Sequence, residues 1–102
     1  MPRPGRMLYL ISYDIPSDKP GDRRRARIAR MMEGYGVRVQ LSVFECEMAP
    51  VTLTRLREKI IEILDLSTDN VRIYTICATC HAAIDNIGVD DPIQRDHDCM
   101  FL

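Results

Sequence analysis

Val37-Arg38-Val39-Gln40-Leu41-Ser42-Val43-Phe44-Glu45-Cys46-Glu47-Met48 is the stretch on which the fold turns. Val37, Val39, Leu41 and Val43 alternate with Arg38, Gln40, Ser42 and Phe44, the period of extended chain. The run reads either as two strands or as one long strand kinked near Ser42. A first strand is expected at about 7–13, where Leu8-Tyr9-Leu10-Ile11-Ser12-Tyr13-Asp14 is an apolar run ending in a carboxylate. Both of its faces are largely apolar, which suggests a central strand covered on both sides.

The segments on either side of these runs read as helices. Ile15 to Gly21 is rich in turn residues, and Asp22 is a good N-cap for a helix running to about Glu33. Ile28, Met31, Met32 and Tyr35 form its apolar stripe, and Gly34 and Gly36 end it. Pro50 opens a second helix, about 50–65, with Leu53, Leu56, Ile60, Ile63 and Leu64 inward. A turn over Leu66–Asn70 leads to a strand at Val71–Ile76. If the Val37–Met48 run is two strands, the order is βαββαβ. That is the α+β, ferredoxin-like pattern with an antiparallel sheet. At 102 residues the chain is expected to be a single domain, with its core at about 7–76 and a C-terminal extension over 77–102.

The net charge of −1 hides an asymmetry. Residues 1–40 carry nine Arg and Lys against four Asp and Glu, and residues 41–102 carry five against eleven. A basic front half suits a polyanionic partner. No apolar run approaches the roughly 18–20 residues of a membrane span, and no cleavable leader follows the basic start, so a cytoplasmic protein is expected. In that compartment the four cysteines argue against a disulfide framework.

Several constellations carry possible chemistry. Asp14 reads as a metal ligand or as a strand-end turn residue. Mg²⁺ keeps most of its waters and often takes one or two carboxylates, so one Asp per chain is enough if a two-fold dimer brings a second. Arg23, Arg24, Arg25, Arg27, Arg30 and Arg38 read as a phosphate-binding surface or as a solvated helix face. Ser42 has no His/Asp relay in sequence. Cys77-Ala78-Thr79-Cys80-His81 spells a haem-attachment motif, but without export. Zinc on Cys77, Cys80, His81, His97 and Cys99 lacks a second clean motif half, and structural cysteine is preferred. Met100-Phe101-Leu102 is an apolar end suited to a partner chain or to its own sheet edge.

Taken together, Tyr13-Asp14-Ile15, Asp18-Lys19, Arg24 to Arg30 and Gly34-Tyr35-Gly36-Val37-Arg38-Val39-Gln40-Leu41-Ser42-Val43-Phe44-Glu45-Cys46 resemble the small CRISPR-associated proteins of family two. The match runs from about Met7 to Tyr74. The resemblance implies a symmetric homodimer of ferredoxin-like chains, with the C-terminal segment adding an edge strand. It implies a Mg²⁺-dependent endonuclease acting on RNA or duplex DNA in spacer acquisition. The alternative it carries is a non-catalytic, duplex-binding scaffold for the integrase subunit. By the same resemblance Asp14 is the metal-linked residue, with Tyr13, Ser42 and Phe44 beside it as catalytic residues. Arg25, Arg27 and Arg38 correspond to the family's arginines. Pro20-Gly21 lengthens the loop after Asp14, which leaves the first helix arginine open between Arg24 and Arg25.

Overall fold

The computed structural model describes residues 3–76, together with 85, 87 and 88. The elements are β1 (Met7–Asp14), α1 (Lys19–Met32), β2 (Val37–Gln40), β3 (Val43–Met48), α2 (Pro50–Ile63) and β4 (Asn70–Ile76). The ambiguous run is therefore two strands, turned at Leu41 and Ser42. A register shift between Arg38 and Gln40 absorbs the odd residue that blurs its alternation.

The sheet has the order β2-β3-β1-β4, and every neighbouring pair is antiparallel. This is the ferredoxin-like α+β arrangement. Tyr9, Ile11 and Tyr13 of β1 join Phe44, Cys46 and Met48 of β3 in the core, against Ile28 and Met32 of α1 and Leu56 and Ile60 of α2. Both helices thus cover the face on which the odd-numbered residues of β1 lie.

Two expectations need correction. The first is the start of α1. Its N-cap is Asp18, not Asp22, and the Asp18 carboxylate accepts from the Gly21 amide at 2.7 Å. Pro20, read as a loop residue, lies within the first turn, where its missing N–H costs nothing. Gly21 is buried, and a Cβ there would collide with the Pro16 carbonyl, so only glycine lets the loop fold back onto the helix. The second is the cover of β1. Among the described residues the helices shield one face only, and Leu10 and Ser12 on the other face are half-buried. On this open face Leu10, Ser12, Val39, Gln40, Val43, Glu45 and Tyr74 line a hollow of about 370 Å³. The expected short helix and linker after Ile76, the Cys77-Cys80-His81 motif, His97, Cys99 and the C-terminal edge strand lie outside the described residues.

Candidate nucleic-acid and metal site

Asp14 ends β1 and is exposed. Its carboxylate has no ion pair or hydrogen bond among the described residues. Side chains alternate along a strand, so Asp14 shares the open face with Ser12 and Leu10, whereas Tyr13 points into the helix layer. Across the β1–β4 ladder Asp14 lies opposite Asn70, and Ser12 opposite Arg72.

On the helix side, Tyr13 and Phe44 stack with ring centroids 6.4 Å apart, and the Arg38 guanidinium lies 5.4 Å from the Phe44 centroid. Arg38 reaches Glu33 at only 3.8 Å, and its buried Nε has no hydrogen-bond partner among the described residues. Tyr13, Arg25, Ala26, Ala29, Arg38 and Leu41 help line a hollow of about 340 Å³ there. The Tyr13 hydroxyl donates to the Leu41 carbonyl at 3.2 Å, and the Tyr13 amide donates to the Ser42 carbonyl at 3.0 Å. Burial pushes the phenol pKa up, against the opposing pull of Arg38 and Arg25, so the hydroxyl stays protonated.

These contacts revise the catalytic expectation for Tyr13, Ser42 and Phe44. Phe44 is 0% exposed and lies in the core, while Tyr13, 3% exposed, meets the hollow beside Arg25 and Arg38. Ser42 lies half-buried in the β2–β3 turn and offers its carbonyl to β1. Tyr13 and Ser42 tie the end of β1 to that turn, and Phe44 stacks on the Tyr13 ring.

The six arginines divide by their contacts. Arg24 grips Asp69 with two hydrogen bonds, at 2.7 and 3.0 Å, and the Asp69 side chain is fully covered. Arg25 donates to the carbonyls of Ile15 and Pro16 and pairs with Asp22 at 2.7 Å. It therefore clamps the chain immediately after Asp14. Arg38 belongs to the Phe44 cluster. Arg23, Arg27 and Arg30 are exposed and carry no ion pair among the described residues. The spacing i, i+4, i+7 aligns them along the outside of α1. Arg25 thus holds the loop after Asp14, and Arg24 braces the start of β4.

Sequence reading passed over Asn70 and Arg72. The alternation of Asn70, Arg72 and Tyr74 against Val71, Ile73 and Thr75 carried the signal, but only the pairing register puts the first set beside Asp14.

No group of three or more His, Cys, Asp or Glu side chains stands together among the described residues. An exposed, unpaired carboxylate with an amide and a hydroxyl nearby is nonetheless an all-oxygen set. It fits a hard, largely hydrated ion such as Mg²⁺, and not zinc.

Fold and site together define a class: a small ferredoxin-like protein with an acidic strand end and an arginine-edged helix layer. The family model described as "CRISPR associated protein Cas2" matches residues 7–84. The chain belongs to this family. It is 43% identical over 97 residues to the "CRISPR-associated endoribonuclease Cas2 1" of Chloroflexus aurantiacus, covering 94% of this chain and 100% of the relative. A crystal structure of Streptococcus pyogenes Cas2 superposes with a TM-score of 0.74 at 30% identity, covering 80% of this chain and all of that one. A chain from a "Partial Cas6-RT-Cas1--Cas2 complex" superposes with a TM-score of 0.68 at 32% identity, over 86% of this chain and 98% of that one. Among the described residues, no helix is long and apolar enough to cross a membrane.

Proposed function

We propose that this chain is a cytoplasmic, homodimeric nuclease of CRISPR spacer acquisition that cleaves RNA or duplex DNA with Mg²⁺ at Asp14. The observation that carries this reading is the exposed carboxylate of Asp14, held at the end of a central strand with no hydrogen bond or ion pair among the described residues. The naming of the Chloroflexus aurantiacus relative as an endoribonuclease supports the reaction class. The Cas1–Cas2 assembly supports an integrase subunit as partner.

Asp14 would hold the ion, with Asn70 the nearest second oxygen donor by strand pairing. When bound, Mg²⁺ supplies Lewis acidity and lowers the pKa of a coordinated water. The chain's own residues do the rest. Arg25 fixes the carbonyls of Ile15 and Pro16, so the backbone that aims Asp14 does not swing. Tyr13, Ser42 and Phe44 anchor the strand end. Arg23, Arg27 and Arg30 take up the phosphate backbone by charge, so sequence preference is weak. One carboxylate per chain is a thin ligand set, and a dimer that joins two open sheet faces doubles it.

A second reading, a non-catalytic duplex-binding scaffold for the integrase, is favoured by the three exposed arginines of α1 that have no ion pair among the described residues. Retention of a duplex on that surface needs no Asp14. Asp14→Asn separates the two readings. Loss of Mg²⁺-dependent cleavage with duplex retention intact supports the nuclease. Cleavage equal to wild type rules out Asp14 as the catalytic centre.

A further inference from the structure

The arginine row on the outside of α1 has a neighbour on α2, which packs beside it. Arg55, Arg57 and Lys59 of α2 are exposed, and none of them forms an ion pair among the described residues. Lys59 shows which way they face. Its ammonium donates to the Tyr35 hydroxyl at 3.0 Å and lies 5.6 Å from the centroid of that ring. Tyr35 closes the last turn of α1, where its amide donates to the Met32 carbonyl at 2.8 Å. Lys59 is therefore on the side of α2 that faces α1. Arg55, one helical turn earlier, shares that side. Arg57 falls on the far side, where it lines a hollow with Ile61, Leu64 and Val71. On α1, the side towards α2 is marked by Arg24, which reaches Asp69 in the turn that follows α2. Arg27 lies one turn further along that side. Cations from two helices thus flank one groove. The same surface offers no ring for a base to stack on. Among the described residues Tyr9, Tyr13 and Phe44 are buried, Tyr35 is engaged by Lys59, and Tyr74 lies on the opposite face of the sheet.

We infer that the helix layer is built to hold duplex DNA, and that Arg55 and Lys59 of α2 take the phosphates of the strand that α1 does not. Packed helices run about 8–10 Å apart, a separation that falls between the groove widths of B-form DNA, about 6 and 12 Å. Cations on the two helices can therefore meet phosphates on the two strands at once. A single strand follows one row and gains little from the second. Proteins that hold single strands add aromatic rings on which bases stack, and this surface has none to offer among the described residues. Tyr35 keeps Lys59 ordered beside the end of α1 without neutralising its charge. The inference rests on α1 as the polyanion surface, which the nuclease and scaffold readings share, and it narrows the retained partner to a duplex.

The test measures affinity in EDTA, across a salt series, for a DNA duplex and for one of its separated strands. The double variant Arg55→Ala with Lys59→Ala is expected to weaken duplex binding and to flatten the slope of log K against log salt by about 1.8, near 0.9 per phosphate contact. Its affinity for the single strand should stay within about twofold of wild type, because the α1 row still serves it. Arg55→Ala alone should lose about 0.9 of the duplex slope. Arg55 makes no hydrogen bond or ion pair among the described residues, so this variant separates loss of a phosphate contact from any disturbance of Tyr35. Arg57→Ala, on the far side of α2, should bind both probes as wild type does. Unchanged duplex binding by the double variant would overturn the assignment. So would equal weakening on duplex and single strand, or an equal effect of Arg57→Ala, since either means charge without geometry. If replacing Arg23, Arg27 and Arg30 with alanine leaves duplex binding untouched, the α1 surface itself is misread and this inference falls with it. If that variant loses the duplex while the α2 double variant keeps it, only the role of Arg55 and Lys59 is wrong.

Discussion

Asp69 is held at the threshold of β4 by three kinds of donor: the Arg24 guanidinium, the Asp65 amide at 2.9 Å and the Thr68 hydroxyl at 3.0 Å. The Arg24 hydrogen bonds lead in drawing its pKa down from 3.8 to about 2. A carboxylate depressed by folding contributes stability that is complete above its unfolded pKa and is lost as pH falls through the folded one. Asp65, drawn down first by the Ser67 hydroxyl, adds a slope of the same sign. The melting temperature of wild type should therefore drop as pH is lowered from about 4 towards 2. Asp69→Asn should melt lower at neutral pH and show a shallower drop, with the two curves converging in acid. Parallel curves would mean that Asp69 is not ionised in the way its contacts require. Cys46 is the opposite case. Burial pushes its thiol up to about 12, so it is core and not a nucleophile.

At the scale of the element, α1 is a two-sided object. One side packs Ile28 and Met32 into the core, and Arg24 and Arg25 leave the helix to brace β4 and the Asp14 loop. Among the described residues the outer row of Arg23, Arg27 and Arg30 makes no such contacts, so removing it should change binding and not folding. Replacing all three with alanine should leave the melting temperature within a few degrees, as surface changes usually do. It should also flatten the dependence of log K for duplex DNA on log salt by about 2–3 units per engaged chain, near 0.9 per phosphate contact. An unchanged slope would place the polyanion elsewhere. The α1 stretch also shows how far sequence carries. Its arginines and apolar stripe were legible, because helical period sorts them into rows. Its first turn was not, because Asp18 and Asp22 are equally good caps in isolation. The choice fell to Gly21, whose missing Cβ lets the Pro16 carbonyl lie against the helix.

For the whole molecule the decisive feature is the sheet's uneven cover. The helix layer buries Tyr9, Ile11, Tyr13 and Phe44 almost completely, yet the opposite face keeps Leu10, Val39, Val43 and Tyr74 around an open hollow. A sheet with an apolar face left uncovered among the described residues invites a second layer, and a second copy would supply one by two-fold symmetry. Sedimentation equilibrium should find a dimer, and Leu10→Asp should shift it towards monomer. If Asp14 acts as a shared pair, Mg²⁺-dependent cleavage should disappear along with the dimer. A Leu10→Asp protein that remains dimeric would place the interface on another surface.

By itself the sequence determined the order of elements outside the 37–48 run, the apolar sides of the helices, the family resemblance and the identity of the strand-end acid. Those features are local or periodic: they depend on residues within a turn or a strand of one another, where spacing alone decides which side chains share a face. Only the tertiary structure decided what each polar group does. Pairing register put Arg72 and Asn70, far away in the chain, beside Asp14. Packing decided that the helices cover the Tyr13 face of β1 and leave the Asp14 face open among the described residues. A long-range contact gave Arg24 a brace on Asp69, and Arg25 closes the loop after Asp14 through the Ile15 and Pro16 carbonyls. A guanidinium's role depends on which carbonyl or carboxylate lies within its reach, and for Arg24 that partner, Asp69, is brought near only by the tertiary fold.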